Sequence, residues 1–170
     1  VLAAGAGLEL HGVYGFNYND DDAELEKGWG GGASLVLCLG EFVKLDVGGD
    51  YTRPEIKDGD DDFVQLIPVT ATLRIGGNLD VIYLYGGAGA GYSFNDLDWD
   101  SVDDSQWDLE DCFTYHACGG MELYLSPQIA LRGEFRYIWM EPKLKFKPTG
   151  DKDDWNMDHM QVRAGLSFYF

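Results

Sequence analysis

The chain lacks the long apolar runs of a helical membrane protein. Within its 170 residues the longest apolar stretches, such as Val81 to Tyr85, fall far short of the roughly 20 residues a membrane helix needs. Cysteine is scarce, and the three present, Cys38, Cys112 and Cys118, cannot pair completely within one chain. Cys112 and Cys118 share one expected strand and lie about 20 Å apart at strand rise, too far to bridge. A bridge to Cys38 would have to cross the inside of the fold, so all three are read as small fillers, and none has zinc-site spacing. Basic residues are few: 12 Lys and Arg stand against 30 Asp and Glu, for a formal net charge of −18. A phosphate backbone would be repelled, which excludes nucleic acid as a partner. Proline is sparse beside 23 glycines, and aromatics are frequent, which suits packed strands and not disorder. The opening VLAAGAGLEL has neither a basic start nor a long apolar core, so we read a mature or trimmed chain.

What the sequence has in abundance is alternation. In the last segment Met160, Val162, Ala164, Leu166, Phe168 and Phe170 form an apolar row, and His159, Gln161, Arg163, Gly165, Ser167 and Tyr169 a mostly polar or small one. Successive side chains point to opposite faces of a strand, so one face is apolar and the other is wet. Seven more alternating segments precede it: Gly5 to Tyr18, Gly28 to Leu39, Phe42 to Thr52, Phe63 to Ile75, Val81 to Phe94, Cys112 to Leu125, and Ile129 to Met140. In the fifth both faces are apolar or glycine; we assign Ile82, Leu84, Ala88, Ala90, Tyr92 and Phe94 outward. Pro68, inside the fourth, requires a bulge or an unpaired position.

Connections alternate in length. Short ones fall near Gly40-Glu41, Gly76 to Asp80 and Ser126 to Gln128; long ones run Asn19 to Lys27, Arg53 to Asp62, Asn95 to Asp111 and Glu141 to Met157. This predicts a single all-β domain over residues 1–170: an eight-stranded antiparallel up-and-down transmembrane β-barrel with short periplasmic turns and four long extracellular loops. The even strand count puts both termini on the periplasmic side.

A soluble eight-stranded lipocalin is the competing architecture, and it would bury the apolar face instead. Three features favour the membrane barrel. The polar face is rich in glycine, as a narrow lumen requires. Its charges are mixed and can neutralise one another: Glu9, Lys44, Asp46, Arg74, Glu122, Arg132, Glu134, Arg136 and Arg163. Aromatics collect at the strand ends, with Tyr18, Trp29, Tyr51, Phe63, Phe94, Phe113 and Trp139 forming a girdle at the long-loop rim, and Phe42, Phe168 and Phe170 at the other.

Four stretches, IPVTATLRI (Ile67 to Ile75), YLYGGAGAGYSF (Tyr83 to Phe94), YLSPQIALRGEFRYIW (Tyr124 to Trp139) and RAGLSFYF (Arg163 to Phe170), resemble the small eight-stranded outer-membrane barrels of the OmpA transmembrane-domain, OmpX, OmpW and opacity-protein type. The resemblance implies the outer membrane of a Gram-negative-type bacterium. It also implies that Arg163, Gly165, Phe168 and Phe170 act as an assembly signal read by the barrel-insertion machinery. The OmpA type carries a peptidoglycan-binding domain after its barrel; none follows Phe170 here, so a direct cell-wall anchor is not expected. The group has diverse roles, so the resemblance leaves function open.

Most of the acidic residues fall in the long loops, in runs such as Asp20-Asp21-Asp22, Asp60-Asp61-Asp62 and Asp96, Asp98, Asp100. The last trio begins like an EF-hand, but no glycine follows at the sixth position and Trp107 stands where the final glutamate belongs, so no defined metal site is assigned. A solvated, mutually repelling surface with loosely bound divalent cations, including bridges to lipopolysaccharide phosphates, is the reading adopted. Lys143, Lys145 and Lys147 alternate with Leu144 and Phe146 as a basic ridge that would fold against acidic loops or meet lipid phosphates. His11, His116 and His159 form no triad pattern and are read as lumenal polar groups, so no catalytic residue and no tightly bound cofactor is expected. The leading expectation is a structural or interaction role, with outer-membrane lipid, lipopolysaccharide and a protein partner meeting the loops over a plugged lumen. A narrow channel for ions or small solutes, and more remotely a lipid-modifying enzyme, are the alternatives.

Overall fold

The computed structural model describes residues 5–19, 25–56, 63–98, 107–146, 152–154 and 156–170. Eight long strands close into a barrel: β1 (Gly5–Asn19), β2 (Leu25–Cys38), β3 (Val43–Ile56), β4 (Phe63–Leu79), β5 (Ile82–Asp98), β7 (Cys112–Ser126), β8 (Ile129–Met140) and β11 (Asp158–Tyr169). Each pairs antiparallel with its chain neighbour, and β11 closes the ring on β1 from Gly7–Tyr169 to Phe16–Met160. Closure removes the free strand edges that hydrocarbon would leave unsatisfied. Among the described residues there is no helix long and apolar enough to cross a membrane.

The eight segments read from alternation all form strands, several of them longer than expected. β4 and β5 reach 17 residues each: Gly76–Leu79 extends β4 so that the turn shrinks to Asp80-Val81, and Asn95 to Asp98 extends β5 along Leu66 to Phe63. Asp80 holds the left-handed φ of 58° that so tight a hairpin turn requires.

Burial decides between the two architectures. Along β4, Ile67, Val69, Leu73 and Ile75 are 39–58% exposed, whereas Thr70, Thr72 and Arg74 are buried. The same inversion holds for Leu8, Leu10, Leu84, Leu131 and Leu166 outside and Glu9, Glu122, Glu134 and Arg163 inside. A water-soluble barrel would do the reverse, so the apolar surface belongs against lipid. The fifth strand, apolar or glycine on both faces, follows suit: Leu84, Tyr92 and Phe94 face out, and Tyr83 and Tyr85 are buried.

Two prolines interrupt the wall. β3 and β4 pair continuously from Val43–Ile75 to Gly49–Val69, then at Thr52–Leu66 and Glu55–Phe63. Pro54 and Pro68 lie in the gaps, and neither has an N–H to give the ladder.

Tyr18 corrects the expected girdle. The β1–β11 register shifts between Phe16 and Asn19, and Asn17 takes a φ of 54°. A bulge adds one residue and swaps the faces beyond it. The Tyr18 ring therefore turns inward and stacks on His159, 4.6 Å between centroids.

Three short strands stand beyond the barrel: β6 (Trp107–Leu109), β9 (Lys143–Phe146) and β10 (Lys152–Asp154), in the order β10-β9-β6. The basic ridge thus pairs with acidic loop segments, Lys145 opposite Asp108 and Lys143 within 3.4 Å of Asp154. Lys147 lies outside the described residues, as do the runs Asp20 to Asp22 and Asp60 to Asp62.

Candidate functional site

Eight inward-facing rows meet in a narrow lumen, which divides into three tiers. The middle tier is ionic. All nine charged residues assigned to the lumen are buried, together with Asp50, which makes five carboxylates (Glu9, Asp46, Asp50, Glu122, Glu134) and five cations (Lys44, Arg74, Arg132, Arg136, Arg163), Lys44 joining this tier to the floor beneath it. Leaving the histidines aside, these ten charges sum to zero. Balance is required here, because an unpaired buried ion costs several kcal/mol and good geometry is needed to offset its desolvation.

Arg132, on β8, is the hub. Its guanidinium donates to Glu9, to Glu134 and to Asp46 at 3.0 Å, while its Nε donates to the Tyr85 hydroxyl at 2.7 Å. Arg74 lies 2.8 Å from Glu122 and 2.9 Å from Asp46. Glu134 also accepts from Arg136 and from the Tyr85 hydroxyl at 2.8 Å. Arg163 pairs with Asp50. His11 sits between two acids, Nδ1 3.0 Å from Glu9 and Nε2 2.7 Å from Asp50. His116 Nε2 meets the Thr72 hydroxyl at 2.9 Å. Glycines make room for these groups: a Cβ on Gly89 would lie 2.5 Å from the His116 ring, and one on Gly120 2.5 Å from the Tyr85 hydroxyl.

Towards the long loops the lumen turns apolar. Val64, Leu66, Leu109, Ile138, Met140 and Met157 form one buried cluster, with Tyr18 and Cys112 packed against it. His159 lies beside this tier and bonds the Met157 carbonyl at 2.9 Å.

At the short-turn end the floor is aromatic. Lys44 Nζ reaches Glu122 at 2.5 Å, the Tyr124 hydroxyl at 2.7 Å and the Tyr169 hydroxyl at 3.0 Å. The same ammonium lies 4.4, 5.3 and 4.8 Å from the ring centres of Tyr83, Tyr124 and Tyr169. Three N–H donors, a carboxylate and three ring faces leave this charge fully partnered.

The remaining assigned residues are distributed as follows. Trp29, Tyr51, Phe94, Phe113 and Trp139 are exposed on the outer wall, and Phe63 is half-buried, with the Arg53 guanidinium 3.6 Å over its ring. In the terminal strand Arg163 points in, Gly165 lies against His11, and Phe168 and Phe170 point out. Asp96 is exposed; the Asp98 side chain and Asp100 lie outside the described residues. Among the described residues no group of three or more His, Cys, Asp or Glu is placed to hold a metal. Cys38, Cys112 and Cys118 are free thiols. Asp50 carried a signal that the assignment of lumenal charges did not use, since it shares a face and a strand with Lys44 and Asp46, whereas His11, read as lumenal, lies beside Glu9 on β1. Tyr85 and Tyr169 carried none, since a tyrosine on an alternating strand gives no sign of which ion it will meet.

Residues 2–170 match the model of the outer membrane protein beta-barrel domain. The chain belongs to this family. Membership makes the protein an outer-membrane barrel and explains why its apolar side chains face out. A comparison with curated protein sequences finds no match. Solved structures of the same fold include OprG from Pseudomonas aeruginosa, with a TM-score of 0.79 at 16% identity over 99% of this chain and 97% of that one. Neisserial surface protein A superposes with a TM-score of 0.70 at 15% identity, covering 97% of each chain. Outer membrane protein W of E. coli gives 0.62 at 15% identity over the whole of both chains.

Proposed function

We propose that this outer-membrane barrel is a closed scaffold that holds its long loops at the cell surface, with its short turns and termini in the periplasm. The observation that carries this reading is the middle tier: ten paired charges, with tyrosine, threonine and histidine between them, occupy the cross-section a pore would need. Moving an ion through would mean breaking several buried pairs at once. The acidic loops then meet divalent cations, lipopolysaccharide phosphates or a protein partner, and the Arg163, Gly165, Phe168, Phe170 pattern serves assembly. Single-channel recording in planar bilayers tests the closed lumen. We expect no large steady conductance, and open steps of general-porin size would overturn the reading.

One observation favours a second reading, a passage for small solutes. The tier near the long loops is apolar, not wet, and Leu66 on its wall lies two residues from Pro68, where the β3–β4 ladder is interrupted. A small apolar solute could enter that tier from outside and leave sideways. Faster uptake of such a solute into vesicles carrying the protein, lost on Leu66→Asp, would support passage; unchanged uptake would remove it.

A further inference from the structure

The short-turn rim holds a feature that neither reading uses. A cavity of about 420 Å³ opens there between three turns, with Glu41 and Asp80 at its lip, Val81 and Pro127 on its walls, and Tyr124 and Cys38 deeper in. That volume lies in the range of small-molecule sites, which are mostly apolar with a few placed polar groups. Its walls are cross-tied. Asn78 Nδ2 donates to the Glu41 carbonyl at 3.2 Å, and the Tyr83 hydroxyl donates to the Phe42 carbonyl at 3.0 Å. The cavity is therefore preformed, and little ordering is needed to fill it.

Its electrostatics select a sign. Glu41 and Asp80 are exposed carboxylates, and among the described residues no exposed basic side chain stands on this rim. Lys44 lines the cavity but offers nothing to an anion, because its charge is spent on Glu122 and its donors on Glu122, Tyr124 and Tyr169. We propose that this cavity is a binding site for a small organic ammonium ion with an apolar body, its charge at the Glu41–Asp80 lip and its body against Val81, Pro127 and the Tyr124 ring. The site lies below the ionic tier and does not depend on whether the lumen conducts.

The test uses the whole chain in lipid nanodiscs and three probes of one shape: benzylamine, benzyl alcohol and benzoate. Calorimetric titration should give saturable benzylamine binding, about three- to tenfold tighter than benzyl alcohol, as two screened carboxylates allow, with benzoate weaker still. Glu41→Gln with Asp80→Asn, two exposed changes that leave the barrel wall intact, should reduce benzylamine to the affinity of benzyl alcohol. Absence of saturable binding, equal binding of benzylamine and benzoate, or a preference that survives the double substitution would each overturn the site.

Discussion

Inside the barrel five carboxylates face five cations, whereas the chain as a whole carries a net charge of −18. The ten buried lumenal charges of the described residues sum to zero, so they contribute nothing to that excess, and in the sequence most acidic residues fall in the segments between the barrel strands. The difference follows from solvent. An exposed carboxylate keeps its hydration and is screened by salt within about 10 Å at 0.1 M. A lumenal one has lost that hydration and persists only against a cation with good geometry. A chain can thus crowd aspartates in its loops at small cost, while the lumenal ions are tied to partners, most of them on other strands and some, as Arg132 and Arg136 with Glu134, on the same one.

The contrast can be broken most sharply at Glu134, which accepts from Arg132, Arg136 and Tyr85. Glu134→Ala leaves two arginines short of a partner, and we expect a loss of about 3–5 kcal/mol, read as a lower urea midpoint for unfolding from lipid vesicles. Tyr18→Phe should have a smaller effect of opposite sign. The Tyr18 hydroxyl is buried without a partner among the described residues, so its removal should leave stability unchanged or raise it by up to about 1 kcal/mol in the same assay. The smallest effect is expected in the loops: replacing Asp60, Asp61 and Asp62 with asparagine should move stability by no more than about 0.5 kcal/mol. A loss as large as that of Glu134→Ala would mean that these aspartates are paired as the lumenal ions are.

Much of the wall was legible in advance. Period-2 alternation assigned Leu8, Leu10, Ile67, Val69, Leu131 and Leu166 to the outside and the nine lumenal charges to the inside, because the pleat fixes side-chain direction locally. It failed at Tyr18, where one left-handed residue, Asn17, and the register shift around it turn the ring to the other face. It also missed the extension of the β3, β4 and β5 ladders past their apolar rows, since backbone pairing continues without help from side-chain pattern. The small sheet β6-β9-β10 was legible only in part: the Lys143–Lys145 rhythm indicated a strand, but its partners lie in other loops.

By itself the sequence determined the strands, their two faces, the short and long rims, and the mixture of charges held within. Only the tertiary structure decided which ions meet. Arg132 bonds Glu9, 123 residues away, and Lys44 bonds Glu122, 78 away. Alternation is a property of each strand alone, whereas pairing across the lumen depends on the tilt and stagger with which eight strands close. The same closure brings three separate turns together around one cavity that both Glu41 and Asp80 line, a neighbourhood that nothing local in the sequence records.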